Sequence, residues 1–108
     1  MPTPHYPIAA ARRATRELGT DIREARLRRN IPMDVLAARA FTSRTTLRRV
    51  EQGDPGVSMG VYAAVLHSLG LLDGLRRSAS LAHDEVGRTL AGAALPERAR
   101  ARLPSKAR

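Results

Sequence analysis

The stretch that most constrains the fold is residues 33–53, MDVLAARAFTSRTTLRRVEQG. It predicts a short helix, a tight turn and a second short helix that carries three arginines. Ser43 is placed to cap the second helix, because its hydroxyl can accept a hydrogen bond from a free backbone N–H of the first turn. Gly53 is placed to end that helix, because glycine readily adopts the left-handed conformation that closes helices.

The second helix of this stretch has two chemically different faces. Each residue turns a helix by about 100°, so five polar side chains fall within an arc of roughly 140°. In order around the helix these are Arg44, Arg48, Gln52, Thr45 and Arg49. The opposite arc holds Thr46, Val50 and Leu47, and is the side expected to pack. The outward face therefore suits an anionic partner.

Composition favours one small all-α domain with flexible ends. Of the 108 residues, 43% are hydrophobic, and abundant leucine and alanine with few β-branched runs favour helices. The absence of cysteine excludes disulfides, thiolate zinc sites and cysteine nucleophiles. No apolar run approaches the ~18 residues of a membrane helix. The N-terminus lacks the apolar core of a signal peptide, so we expect a cytoplasmic protein.

The basic charge is unevenly distributed along the chain, whose formal net charge is +9. Residues 1–52 carry 11 arginines and 5 acids (net +6), residues 53–95 carry 3 arginines and 4 acids (net −1), and residues 96–108 carry 5 basic residues and 1 acid (net +4). This pattern favours nucleic acid as the partner, ahead of an acidic protein surface or a membrane. A solvated, arginine-rich surface with no partner explains the charge alone about equally well.

The chain divides into three predicted segments: an N-terminal arm over residues 1–13, a helical domain over 14–82, and a helical extension with a basic tail over 83–108. The arm has three prolines in its first seven residues and no acid. Such a composition favours an extended segment, which can become helical from Ile8 onward. The basic tail proper starts at Pro96, and we expect it to be mobile.

Five helices are predicted within the helical domain. They run from Ala14 to Arg29, from Pro32 to Arg39, from Ser43 to Gly53, from Ser58 to Gly70, and from Leu71 onward. Asn30 is expected to take the left-handed position that closes the first helix. Residues 40–42 are expected to form the tight turn and residues 53–57 a loop. A further helical stretch is expected to begin at residues 83–85, where acidic side chains favour a helix start.

Residues 18–71 resemble a known DNA-binding domain. The residues that carry the resemblance are Leu18, Ile22, Arg26, Leu36, Ala37, Ser43, Thr46, Leu47, Val50, Glu51, Gly53, Ser58, Leu66, Leu69, Gly70 and Leu71. Their order and spacing resemble the Xre, or lambda-repressor-like, helix-turn-helix family. The resemblance covers about half of the chain, and it implies a five-helix fold whose third helix lies in the major groove.

The resemblance and the polar face together imply a set of DNA-binding residues. These are Thr42, Ser43, Arg44, Thr45, Arg48, Arg49 and Gln52. Arg44, Thr45 and Arg49 match positions that read base edges in the family, and an arginine can grip O6 and N7 of a guanine together. Arg48 would contact a base or a phosphate. The two hydroxyl residues before the helix would donate to the phosphate backbone.

The family also pairs an arginine of the first helix with a glutamate that ends the third. Arg26 and Glu51 match these two positions. On the helical wheel, Glu51 lies beside Leu47, on the inward flank and away from the arginines. We therefore expect Arg26 and Glu51 to form a structural brace that orients the third helix against the first.

Two residues depart from the family pattern. The family usually has glycine in the turn where this chain has Phe41, and a bulky residue in the left-handed conformation is strained. We therefore expect the turn to be reshaped at Phe41. Met33 stands where the family often has a glutamine that grips phosphate, so one hydrogen-bonding group is missing at the start of the second helix.

Residues 53–77 support a finer resemblance. The segments GDPGVSMGVYAAVLHSLGL and LDGLRR look like those of HipB-like regulators, which are encoded beside HipA-type kinases. This likeness implies a nucleoid-associated homodimer that represses its own operon at a palindromic operator and acts as the antitoxin of a HipA-like kinase toxin. The alternative is a protein-interaction module that neutralises a toxin with little or no specific DNA binding.

No pattern indicates an enzyme, and no cofactor or metal is expected. His5, His67 and His83 are scattered, and none has a second ligand at the one-turn spacing that metal sites use. No glycine-rich phosphate loop or nucleophile elbow is present. Binding of nucleic acid or membrane by charge alone is a further alternative, and it would depend strongly on salt without any sequence preference.

Overall fold

A computed structural model describes residues 8–93, and all regular secondary structure in this range is helical. The α-helices are α1 (Ala9–Arg28), α2 (Met33–Arg39), α3 (Arg44–Glu51), α4 (Met59–Ser68), α5 (Leu72–Arg77) and α6 (Glu85–Ala93), with a 3-10 turn over Leu81–His83. The chain forms two compact units, the first ending at Leu75 and the second beginning at Arg76. The predicted all-α class is confirmed.

Helix α1 begins at Ala9, before the predicted start at Ala14. Residues 9–13 are therefore helical, which is the possibility that the sequence allowed from Ile8 onward. Alanine has the highest helix propensity of any residue, and the alanines that follow the last proline of the arm extend the helix towards the N-terminus. The rest of the predicted arm, residues 1–7, and the basic tail within residues 94–108 lie outside the described residues.

Short polar side chains begin helices α3, α4 and α6. The Ser43 hydroxyl accepts a hydrogen bond from the backbone N–H of Thr46 at 3.0 Å, and Ser58 caps α4 in the same way at 3.2 Å. Asp84 accepts from the backbone N–H of Gly87 at 2.9 Å. Each bond satisfies a backbone donor that the helix itself leaves free. The predicted cap at Ser43 and the helix starts predicted at Ser58 and at residues 83–85 are confirmed.

Left-handed residues close helices α1, α3 and α4 at the predicted positions. The backbone φ is 53° at Asn30, 72° at Gly53 and 77° at Gly70. This conformation reverses the chain and lets the next backbone N–H groups bond to the last carbonyls of the helix. The ends of these three helices could therefore be predicted from single residues.

The core of the first unit lies between α1, α2, α3 and α4. Its largest fully buried side chains are Ile22, Leu36, Leu47, Val50 and Val65. Helix α1 packs on α3, and α2 packs on both α3 and α4. Met33 is half-buried and packs against the same core. Each fully buried aliphatic side chain stabilises the fold by about 1.5–3 kcal/mol relative to exposure, so α3 is held mainly by its apolar face.

Two glycines allow α1 to lie close against the end of α3. A Cβ at Gly19 would collide with the backbone of Val50 and Gly53, and a Cβ at Gly53 would collide with the backbone of Thr15. Both clashes involve backbone atoms, which cannot swing aside as a side chain could. Glycine is therefore required at position 53 by the positive φ and by this contact, and at position 19 by the contact alone.

A buried ion pair joins α1 to α3 beside this contact. The Nε of Arg26 donates to Oε2 of Glu51 at 2.6 Å, and its Nη2 donates to Oε1 at 3.1 Å. The Nη1 of Arg26 also donates to the carbonyl of Ile31 at 3.0 Å. The Arg26 and Glu51 side chains are only 9% and 5% exposed. The arginine therefore connects the C-terminal half of α1, the start of the α1–α2 connection and the end of α3.

Arg26→Ala is expected to lower the free energy of unfolding by about 3–5 kcal/mol, because the Glu51 carboxylate would stay buried without a partner. Urea unfolding curves measure this loss. The matched control is the double variant Arg26→Met/Glu51→Leu, which removes both charges and keeps the volume, and it should lose much less. An equal loss in the single and double variants would show that the charge pairing is not the cause.

The turn between α2 and α3 keeps the left-handed geometry although it contains no glycine. Phe41 has a φ of 55°, so the expectation that the turn would be reshaped is wrong. The backbone N–H of Thr42 donates to the carbonyl of Ala37 at 2.9 Å, which is the closing bond of a left-handed helix end. The Phe41 ring is 97% exposed and adds no packing. The turn therefore holds Phe41 in a strained conformation that its side chain does not offset by packing.

Phe41→Gly is expected to raise the free energy of unfolding by up to about 1 kcal/mol. Relief of a left-handed strain of roughly 1–2 kcal/mol outweighs the roughly 0.4–1 kcal/mol that glycine's greater freedom in the unfolded chain costs. Phe41→Ala is the matched control, because alanine removes the ring and keeps the Cβ that causes the strain. Equal stabilities of the glycine and alanine variants in urea unfolding would contradict the strain.

Candidate nucleic-acid interface

The outward face of α3 presents five polar side chains to solvent. These are Arg44, Thr45, Arg48, Arg49 and Gln52, all of which are exposed. The other side of the helix buries Leu47, Val50 and Glu51. This division follows the helical wheel, because burial of one face leaves the opposite residues in solvent. The structure thus places the predicted residues of α3 together on one open surface, hereafter the α3 face.

Arg44 and Arg48 are the two arginines of the α3 face that have no acidic partner in the described part of the chain. Among residues 8–93, no carboxylate forms an ion pair with either guanidinium. An arginine carries five N–H donors in a planar fork that matches both phosphate and the guanine edge. Both side chains are therefore available for an anionic ligand.

The two hydroxyl residues before α3 differ in availability. The Ser43 hydroxyl accepts from the Thr46 backbone and donates to the Thr46 hydroxyl oxygen at 3.0 Å, so its single hydrogen is already used. Thr42 is half-buried within the turn. The structure therefore places both residues at the rim of the α3 face, and it commits the Ser43 hydroxyl to capping the helix.

Arg49 differs from the other arginines of the α3 face because it has a carboxylate partner. Its Nε donates to Oδ2 of Asp54 at 2.7 Å. Asp54 directly follows Gly53, so the pair crosses the end of the helix. The two side chains are 46% and 34% exposed, which leaves the pair at the surface. Arg49 is therefore restrained before any ligand is bound.

Asp54 accepts two further hydrogen bonds, one at its side chain and one at its backbone carbonyl. Its Oδ1 accepts from the backbone N–H of Gly56 at 2.7 Å, and its carbonyl accepts from the Tyr62 hydroxyl at 2.8 Å. The hydrogen bond from Arg49, followed by the one from Gly56, holds the pKa of the Asp54 carboxyl below its ordinary value. Burial raises the pKa of the Tyr62 hydroxyl. At neutral pH Asp54 is therefore ionised, and Tyr62 keeps the proton that it donates.

The roles of Asp54 and Tyr62 in supporting the α3 face were not predicted from the sequence. A helical wheel stops at the end of α3, so it cannot show a pair between residues 49 and 54. One local signal was present, because aspartate two residues before a glycine in a turn commonly bonds to the following backbone N–H. That signal fixes Asp54 in the loop, but it does not identify Arg49 as its second partner.

An apolar groove forms a second surface feature of the first unit. Its volume is about 320 Å³, and it is lined by Ala11, Thr15, Leu18, Pro55, Val57, Met59, Tyr62, Leu66 and Leu75. The hydroxyl of Tyr62 is engaged with the Asp54 carbonyl. The lining therefore offers apolar contact and no group suited to acid–base or nucleophilic chemistry.

Residues 8–93 contain neither a cluster of metal ligands nor a helix that could span a membrane. No group of three or more histidine, aspartate or glutamate side chains in this range is arranged to hold a metal ion. His67 is exposed on α4, the Nδ1 of His83 lies 3.1 Å from the Ser80 hydroxyl, and His5 lies outside the described residues. No helix of the described part is both long and apolar enough to cross a membrane.

Comparison with known proteins identifies the domain. A family model described as a helix-turn-helix domain matches residues 17–79, which is more than half of the chain. The match runs from the middle of α1 to just beyond α5 and includes the whole α3 face together with Asp54 and Tyr62. The search of curated proteins and the search of solved structures found no match. The chain therefore belongs to the helix-turn-helix domain family, and this membership supports a DNA-binding regulator.

Proposed function

We propose that the protein is a sequence-specific regulator that binds double-stranded DNA through the α3 face and represses transcription. The observation that carries the proposal is the arrangement of α3, whose apolar side is buried while five polar side chains, three of them arginines, face solvent. A helix whose orientation is fixed can enter the major groove in one way only. The proposed activity is binding, without catalysis or a cofactor, in the cytoplasm and on the nucleoid.

The dimensions of α3 fit the proposed mode of binding. Eight residues give a helix of about 12 Å, which is close to the width of the major groove. Arg44, Thr45 and Arg49 would read base edges, and Arg48 and Gln52 would contact bases or phosphates along the rim. One such helix reads few base pairs, so we propose a homodimer on a palindromic operator, with half-sites about 34–36 Å apart.

The charge distribution supports the same mode of binding. Residues 1–52, which include α1, α2 and the whole α3 face, have a net charge of +6. Arginines that do not read bases would neutralise phosphates and release counterions, so affinity should fall steeply with salt. Thr42 and Ser43 lie at the N-terminus of α3. Backbone N–H groups and the helix dipole favour anions at this end, so it would also attract a phosphate.

Arg44→Ala is expected to weaken binding to the operator by about 1–3 kcal/mol and to relax preference at one base pair. Fluorescence anisotropy with DNA from upstream of the protein's own gene, and with random DNA of equal length, measures both effects. Arg23→Ala is the matched control, because it removes an exposed arginine of α1 and should leave base preference unchanged. Equal binding of operator and random DNA by the wild type would contradict the proposal.

A second candidate function is suggested by the second unit. Leu81, Val86 and Leu90 are 57%, 70% and 63% exposed, and Val86 and Leu90 lie one turn apart on the same side of α6. Exposed apolar faces of this kind mark sites of protein interaction. This surface supports the HipB-like proposal, in which the protein binds and neutralises a HipA-like kinase toxin, with or without DNA binding.

Val86→Glu/Leu90→Glu is expected to abolish capture of the kinase encoded beside the protein's gene, because two carboxylates would have to be buried in the contact. Co-purification after co-expression measures capture, and cell growth reports neutralisation. Ala91→Glu adds the same side chain elsewhere on α6 and should preserve capture. Retention of the kinase by the double variant would rule out this surface as its binding site.

A further inference from the structure

We propose that Asp54 is a positioning residue that determines base specificity, by holding Arg49 in the orientation that grips guanine. The inference rests on the proposed function and assigns a role to a residue outside the recognition helix. It concerns how strongly the protein prefers one base pair over the other three at a single position. That preference is separate from whether the protein binds DNA. Asp54 itself need not touch the DNA.

The contact between the two side chains leaves the reading end of Arg49 free. Asp54 accepts from Nε at 2.7 Å, and the guanidinium makes no other hydrogen bond with the described residues. The two terminal amino groups therefore keep their N–H donors for a ligand. A bidentate grip on O6 and N7 of guanine uses donors of this kind. The Nη2 lies beside Gly56, where an added Cβ would stand 3.2 Å away.

A chain of hydrogen bonds links this guanidinium to the protein core. Tyr62 is buried in the core cluster, and its hydroxyl donates to the Asp54 carbonyl at 2.8 Å. Gly56 donates its backbone N–H to the second carboxylate oxygen at 2.7 Å. Asp54 is thus fixed at its backbone and at its side chain, so it can restrain Arg49 and does not simply follow its movement.

Restraining Arg49 in this way should increase discrimination between base pairs more than it increases affinity for DNA in general. A free arginine loses much rotational freedom when it grips a base, and a restrained one has lost part of it already. The negative charge of Asp54 also repels phosphates, which weakens any use of Arg49 as a simple phosphate contact. Arg44 and Arg48 have no carboxylate partner among the described residues, so the two effects should act only at the base pair that Arg49 contacts.

The test compares Asp54→Ala with wild type at the base pair whose preference Arg49→Ala abolishes. Discrimination against the three other base pairs at this position should fall about tenfold, which lies within the range supplied by one bidentate contact. Affinity for random DNA should rise, because a negative charge has been removed beside the DNA. In an Arg49→Ala background, Asp54→Ala should no longer change discrimination, since the side chain that it positions is gone.

Asp54→Asn provides a second variant that keeps the shape of the side chain. Asparagine has one acceptor oxygen, so it cannot serve both Arg49 and Gly56, and discrimination should fall in the same direction. NMR of the DNA-free protein gives a further readout. The Nε–H signal of Arg49 should be protected from exchange in wild type and unprotected in Asp54→Ala, and thermal unfolding shows whether each variant is folded.

Several results would overturn the inference. Unchanged discrimination in both folded Asp54 variants would show that Asp54 does not position Arg49. Tighter operator binding with unchanged or sharper discrimination would show that Asp54 withholds Arg49 from DNA. Equal binding of operator and random DNA by the wild type would remove the proposed function and this inference with it. Loss of discrimination at Arg44's base pair as well would indicate a general distortion of α3.

Discussion

The buried pair of Arg26 and Glu51 is the interaction on which the orientation of α3 depends. Apolar burial holds α3 to the core, but a hydrophobic contact is not directional and permits rotation and sliding. The bidentate hydrogen bonds to Glu51 and the third bond to the Ile31 carbonyl fix one arrangement of α1 against α3. Since the outward arginines share the helix with Glu51, fixing the glutamate also fixes the direction in which they point.

Within the described residues, the α3 face carries one arginine that is paired with a carboxylate and two that are not. Arg49 is tied through Asp54 to the loop after α3, whereas Arg44 and Arg48 have no carboxylate partner in the described part of the chain. In the proposed complex, Arg49 would lose less freedom on gripping a base edge, because Asp54 already restrains it. Arg44 and Arg48 would have to become ordered when they contact a base or a phosphate.

Most of the fold was predictable because its signals are local. Ser43, Asn30 and Gly53 act through their own backbone neighbours, so a single sequence identifies the helix ends. The pairing of Arg26 with Glu51 could be predicted only by combining the helical wheel with the family resemblance.

The features that were not predicted depend on contacts between distant parts of the chain. Gly19 was not identified, because glycine is required there by contact with a helix that is distant in sequence. Phe41 was misjudged because intrinsic strain is one term only, and the packing of α2 and α3 overrides it. The pair of Arg49 and Asp54 spans a helix end, which a wheel cannot represent.

The most direct test of the α3 face as the DNA-reading surface is an NMR titration of the protein with operator DNA. Backbone signals of α3 and the side-chain signals of Arg44, Arg48 and Arg49 should shift at substoichiometric DNA, while buried signals such as that of Val65 change little. A titration with random DNA should produce smaller shifts on the same face. Shifts confined to residues outside α2, α3 and the loop that follows would contradict this account.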